Sequence, residues 1–282
     1  MGYKAIIAAV NGGADDKAVI EAALAAASPF QGHVTALFAY PDPRTAVPAM
    51  GAPMTPEVVQ QVIDSAEMMA RKEAERARAA IRAITAARNI DLDAKSRDPS
   101  RVSCTFRTVF GLPAAVLLAE SKLSDLVVAS AAPGDAHGVF LELLTKSHRP
   151  ILLVPDVAIG DLTAHCAVGW DGGAVAAHAL RAALPFLKKS PKVTLYTVGA
   201  RHRPTSEAAR DYLRLHGIEA GLRELEPEGG SAGLALLHGA QADGASLIVA
   251  GGYGHSRLGE TLFGGNTIDL TSSAQVPLLL MH

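Results

Sequence analysis

Near the end of the chain an apolar run, Leu247 to Ala250, leads directly into Gly251-Gly252-Tyr253-Gly254, and a second glycine pair, Gly264-Gly265-Asn266-Thr267, follows with nine residues between it and Gly254. Such a pattern suits the binding of phosphate. Glycines let main-chain N–H groups approach an anion unobstructed, and a helix opening at the second pair would aim the positive end of its dipole at the same point. His255, Ser256 and Arg257 lie between the two glycine groups, where they are placed to line a phosphate. Some 80 positions earlier, Trp170-Asp171 ends another apolar run. A carboxylate there could accept hydrogen bonds from a base amine or a ribose hydroxyl. Asp-Gly after a strand is equally a turn or helix-capping signal, so Asp171 carries both readings.

Other chemistries fit this region poorly. In Gly254-His255-Ser256-Arg257-Leu258, leucine stands where a GxSxG nucleophile elbow needs its second glycine. Arg257 stands where a dinucleotide GxGxxG fingerprint starting at Gly252 needs its last glycine, and no GxxxxGK[ST] occurs. Without a Walker lysine or a water-activating carboxylate, efficient turnover is not expected, so the chain is at most a slow hydrolase of its nucleotide. The ten histidines and two cysteines, Cys104 and Cys166, have no metal-ligand spacing, and both cysteines are expected to be buried packing residues.

The elements that would position these residues are repeated. Ala9-Val10-Asn11-Gly12-Gly13 corresponds to Gly169-Trp170-Asp171-Gly172-Gly173 at an offset of 160, and Arg149-Pro150-Ile151-Leu152-Leu153-Val154 to Val276-Pro277-Leu278-Leu279-Leu280-Met281. Each copy alternates short runs of Val, Ile, Leu and Ala with helical patterns, as expected of parallel strands covered on both faces. Strands are expected near 4–10, 33–40, 103–109, 125–130 and 150–154, then near 163–170, 191–198, 218–225, 245–251 and 276–281. The fold class is thus α/β, two doubly wound five-stranded parallel-sheet domains in tandem, at 1–155 and 161–282, with a Pro-rich insertion at 41–56 and a long helix from about Glu57 to Arg88. In such a unit ligands sit beyond the carboxyl ends of strands one and four, which brings Asp171 and the Gly251 turn to one crevice. The first copy has Asn11 in place of Asp171 and continues after its fourth strand as Ser130-Ala131-Ala132-Pro133-Gly134-Asp135, so its site is expected to be empty or much weaker.

Lys and Arg number 26 against 28 Asp and Glu, a balance that argues against nucleic acid as a partner. The opening apolar run, Ala5 to Val10, is too short for a secretion signal, and no apolar run reaches the length of a membrane span, so a cytoplasmic protein is expected.

The spacing of Gly251, Gly254, Gly264 and Gly265 resembles the nucleotide-binding signature of the universal stress protein family, whose fold is of the adenine nucleotide alpha hydrolase-like type, and the two copies resemble its tandem members. The likeness extends to the strand ends at Asn11 and Asp171, to Gly111-Leu112-Pro113, and to the proline-containing fifth strands. Gly265 stands where that signature has Ser or Thr, which keeps the backbone N–H and loses the hydroxyl; Thr267 is the nearby residue able to replace it. The resemblance implies a stress-response regulator or sensor holding ATP, with Mg2+ accompanying the triphosphate. Asp171 and Val198 would border adenine, Gly251 the ribose, and Gly254, Gly264, Gly265 and Asn266 the phosphates. It also implies pairing through the fifth strands, either within the chain or in a homodimer, and protein partners of unspecified identity. The alternative reading is an interaction module that holds no nucleotide.

Overall fold

The computed structural model describes residues 2–48, 55–94, 98–131, 135–199, 203–227, 231–252, 271 and 273–282. All ten expected strands are present: β1 (Ala5–Val10), β2 (His33–Tyr40), β3 (Ser103–Phe110), β4 (Leu126–Ser130), β5 (Ile151–Val154), β6 (Cys166–Gly169), β7 (Val193–Val198), β8 (Ala220–Leu225), β9 (Leu247–Gly251) and β10 (Leu278–Met281). The helices are α1 (Asp16–Ala27), α2 (Pro56–Ala87), α3 (Pro113–Ser121), α4 (Asp135–Lys146), α5 (Ala174–Leu187), α6 (Arg203–Leu215) and α7 (Ala232–Ala242).

All ten strands form one sheet in the order β3-β2-β1-β4-β5-β10-β9-β6-β7-β8. Within each half every pairing is parallel, while β5 and β10 meet antiparallel through Leu153–Leu278, Leu152–Leu279 and Ile151–Leu280. A parallel sheet is therefore found in each half, and the junction between halves is the exception. Strand order reverses between β1 and β4 and again between β6 and β9.

Side chains alternate across this sheet, so each strand serves two cores. On one face Ile6, Ala8, Val10, Val168 and Leu195 pack under α1, α2, α5 and α6, with Ile20, Leu24, Ile81, Phe186 and Leu213 buried. On the other, Ile7, Val127, Ile248 and Leu278 pack under α3, α4 and α7, through Leu117, Phe140, Leu143 and Leu237. Both cores run through both halves. Tyr3 and Phe30 meet Phe186, with the Tyr3 and Phe186 ring centroids 4.8 Å apart and those of Phe30 and Phe186 5.8 Å apart, and the Tyr3 hydroxyl donates to the Ala182 carbonyl. Cys104 and Cys166 are buried, and burial pushes each thiol up to about 12, where it is an inert packing group.

Helix α2 begins with Pro56 at its first turn, where the missing N–H costs nothing. Only its later turns reach the core, through Ala77, Ile81 and Thr85. Of the charges along this helix Arg71, Lys72, Glu75 and Arg76 are exposed, Glu73 is half-buried, and Arg78 reaches Asp93 at 2.6 Å.

Candidate functional site

The crevice of the second half is set by sheet topology. Strands β6 and β9 are parallel neighbours, with Cys166 beside Leu247 and Val168 beside Val249. Their carboxyl ends, Trp170-Asp171 and Gly251-Gly252, therefore lie side by side although distant in sequence. Strand β7 flanks β6 on its other side and ends in Val198-Gly199, where Gly199 adopts φ +81°. Trp170, Asp171, Val198, Gly251 and Gly252 are thus brought to one edge of the sheet. Gly254, His255, Ser256, Arg257, Gly264, Gly265, Asn266 and Thr267 lie outside the described residues.

The residues that are described have definite local roles. The Gly173 N–H donates to Asp171 Oδ1 at 2.8 Å, closing a short turn ahead of α5. Asn11 makes the same turn in the first half, where Gly13 N–H donates to Asn11 Oδ1 at 2.7 Å. The turn reading of Asp171 therefore holds for one oxygen, and the shared geometry explains why either Asn or Asp serves there. Trp170 is half-buried, its N–H extends the β7 ladder to the Tyr196 carbonyl, and its indole N–H donates to Thr205 Oγ1 on α6 at 3.3 Å.

Gly251 is required by close packing. A Cβ there would come 2.9 Å from the Ala176 amide nitrogen and 3.0 Å from Val175 atoms, so the first turn of α5 rests on the end of β9. Gly252 is held by a backbone bond to the Met281 carbonyl, and its own carbonyl lies 2.9 Å from His282 Nδ1. A Cβ on Gly252 would meet Leu144 of α4 at 2.8 Å. The end of β9, from which the glycine-spaced segment departs, is therefore fixed by β10 and by a helix of the other half.

The first crevice is built from different side chains. Asp16, 2% exposed, accepts from the Asn11 N–H at 2.9 Å and from the Gly12 N–H at 2.8 Å. Its counterpart at the 160 offset is Ala176. Burial raises the Asp16 carboxyl to about 6, against the two amide hydrogen bonds that lower it. This residue has no place in the sequence reading above, although the contrast between Asp16 and Ala176 in otherwise matching segments was a signal for it.

Among the described residues no cluster of His, Cys, Asp and Glu could hold a metal ion, and no helix is long and apolar enough to cross a membrane.

No protein-family model and no curated protein matches the chain. Solved structures do. A universal stress protein from Archaeoglobus fulgidus DSM 4304 is similar over 99% of this chain and 96% of its own, at TM-score 0.67 and 15% identity. A putative universal stress protein from Pseudomonas aeruginosa UCBPP-PA14 is similar over 99% and 93%, at TM-score 0.55 and 12% identity. A functionally unknown protein from Pseudomonas aeruginosa PAO1 is similar over 99% and 92%, at TM-score 0.56 and 13% identity. The chain therefore has the universal stress protein fold. It has that fold in its tandem form, two copies in one polypeptide, as read from the repeated sequence.

Proposed function

We propose that the protein is a stress-response regulator or sensor that binds an adenine nucleotide, ATP with Mg2+, in the crevice of its second unit, residues 161–282, while the first unit, 1–155, serves as its partner in the fold. The observation that carries this reading is the meeting of Trp170-Asp171 with Gly251-Gly252 at the point where strand order reverses, with a glycine-spaced segment departing from Gly252. In open α/β sheets that is where ligands bind. Asp171 and Val198 would border the base and Gly251 the ribose. The segment with Gly254, His255, Ser256, Arg257, Gly264, Gly265, Asn266 and Thr267 would take the phosphates through backbone N–H groups and short polar side chains.

Gly199 favours the same assignment, since the end of β7 is open there and a Cβ would meet no described atom within 4 Å. Nucleotide occupancy would act by fixing the conformation of the glycine segment and thereby its contacts with other proteins.

Calorimetric titration with ATP and with ADP, comparing wild type with Gly254→Asp, tests the proposal. Saturable heat in the wild type that Gly254→Asp abolishes is expected, because a carboxylate beside the phosphates repels them. No saturable heat at millimolar nucleotide would overturn nucleotide binding and leave an interaction module. Steady phosphate release lost in Asp171→Ala would add slow hydrolysis to the function.

A further inference from the structure

The two crevices differ at corresponding positions: the second half is the larger at Trp170 and Val198, where the first has Val10 and Ala39, and the first half is the larger at four others. Register against the neighbouring strand aligns Phe38 with Thr197 and Tyr40 with Gly199. Asp16 aligns with Ala176, and Ser130 with Gly251. At each of these four positions the first half carries the larger side chain. Phe38 is 2% exposed, and Tyr40 meets the Phe110 ring edge-on with centroids 5.7 Å apart.

The covering helices differ too. In the second half the first turn of α6 lies over Gly172, with Thr205 Oγ1 3.0 Å from where a Cβ would be. In the first half the middle of α2 takes that place: a Cβ on Gly12 would come 2.6 Å from the Glu73 carbonyl oxygen. Gly12 has φ +81° and Gly172 φ +76°, so the turn itself is the same in both.

We propose that Asp16 is an internal anion: its carboxylate fills the backbone-amide cradle of the first crevice in place of a ligand, which closes that half to nucleotides and leaves the chain one nucleotide site. The two oxygens take one N–H each, from successive residues of the turn after β1, at ordinary hydrogen-bond lengths. Successive amides converging on an anion form a backbone nest, here at the turn that corresponds to the base side of the second crevice and not to its phosphate side. Asp15 and Arg76 are the other charged groups acting on this carboxylate, and Arg76 favours its ionised form. The count of one site rests on the function proposed above; the occupation of the cradle by Asp16 does not.

The test exploits the size of the group removed. Asp16→Ala deletes a carboxylate with the dimensions of formate. Melting temperatures of the full-length wild type, Asp16→Ala and Asp16→Asn are measured at pH 8 in sodium formate and in sodium chloride of equal ionic strength. Asp16→Ala is expected to melt several degrees below wild type in chloride and to recover at least half of that loss in formate, with a saturating dose response. Wild type and Asp16→Asn should show no such difference between salts, the asparagine keeping an acceptor for the turn. Should Asp16→Ala not fold in chloride, its refolding yield in formate against chloride gives the same comparison. Equal effects of formate on all three proteins, or none on Asp16→Ala, would overturn the internal anion. Absence of nucleotide binding in the wild type would leave this result untouched, so the two readings fail separately.

Discussion

At the scale of single residues, Asp16 combines near-complete burial with a carboxyl raised from its ordinary 3.8 to about 6. A raised carboxyl means that the native state binds the proton more tightly than the unfolded chain. Between about pH 4 and pH 6 stability contributed by this group therefore falls as pH rises, and above both values the ionised group costs roughly 2 to 3 kcal/mol relative to its protonated form. Urea denaturation from pH 4 to pH 8 should show wild type losing about that much relative to Asp16→Asn, with parallel curves counting against the assignment. Trp170 supplies a second residue-scale readout. It is the only tryptophan and stands half-buried at the edge of the second crevice, so saturating ATP should shift or quench its emission, and Trp170→Phe should remove the signal. An unchanged spectrum during saturable heat would place the nucleotide elsewhere.

At the scale of elements, α2 is laid directly against the turn after β1. Gly12→Ala would force a side chain both into a left-handed backbone conformation and against main-chain atoms of Glu73, which cannot move without shifting the helix. A loss of about 2 to 4 kcal/mol is expected. Gly172→Ala meets the same backbone constraint but only a side-chain neighbour, Thr205, and should lose about 1 to 2 kcal/mol. Equal losses in chemical denaturation would contradict the difference between the two covering helices. The strands and α2 were legible in the sequence because fully covered parallel strands are continuous apolar runs, and all ten lie within three residues of their expected bounds. The antiparallel meeting of β5 and β10 leaves no mark in such runs, whose side-chain period is the same in either direction. Nor could spacing reveal how Gly251 is used on its described side, since a phosphate and the first turn of α5 both demand a residue without Cβ. The role of Asp16 is legible in the sequence only as its contrast with Ala176, because its partners are backbone amides, which every residue of such a turn supplies.

At the scale of the whole molecule, both cores extend across the β5–β10 junction, and the Tyr3, Phe30 and Phe186 cluster ties α5 to the start of the chain. Calorimetric unfolding is therefore expected to show one transition, with Phe186→Ala lowering it by about 3 to 5 kcal/mol as a single event. Two resolved transitions, of which Phe186→Ala moved only one, would show the halves to be energetically separate.

Joining the copies in one polypeptide has a consequence for what each can become. Two identical chains meeting about a twofold axis must carry every replacement twice, so a carboxylate that stoppers one hollow stoppers both. Covalent fusion lifts that requirement: Asp16 can stand in one copy and Ala176 in the other, and a single molecule can keep one hollow sealed as ballast while its twin stays free to specialise.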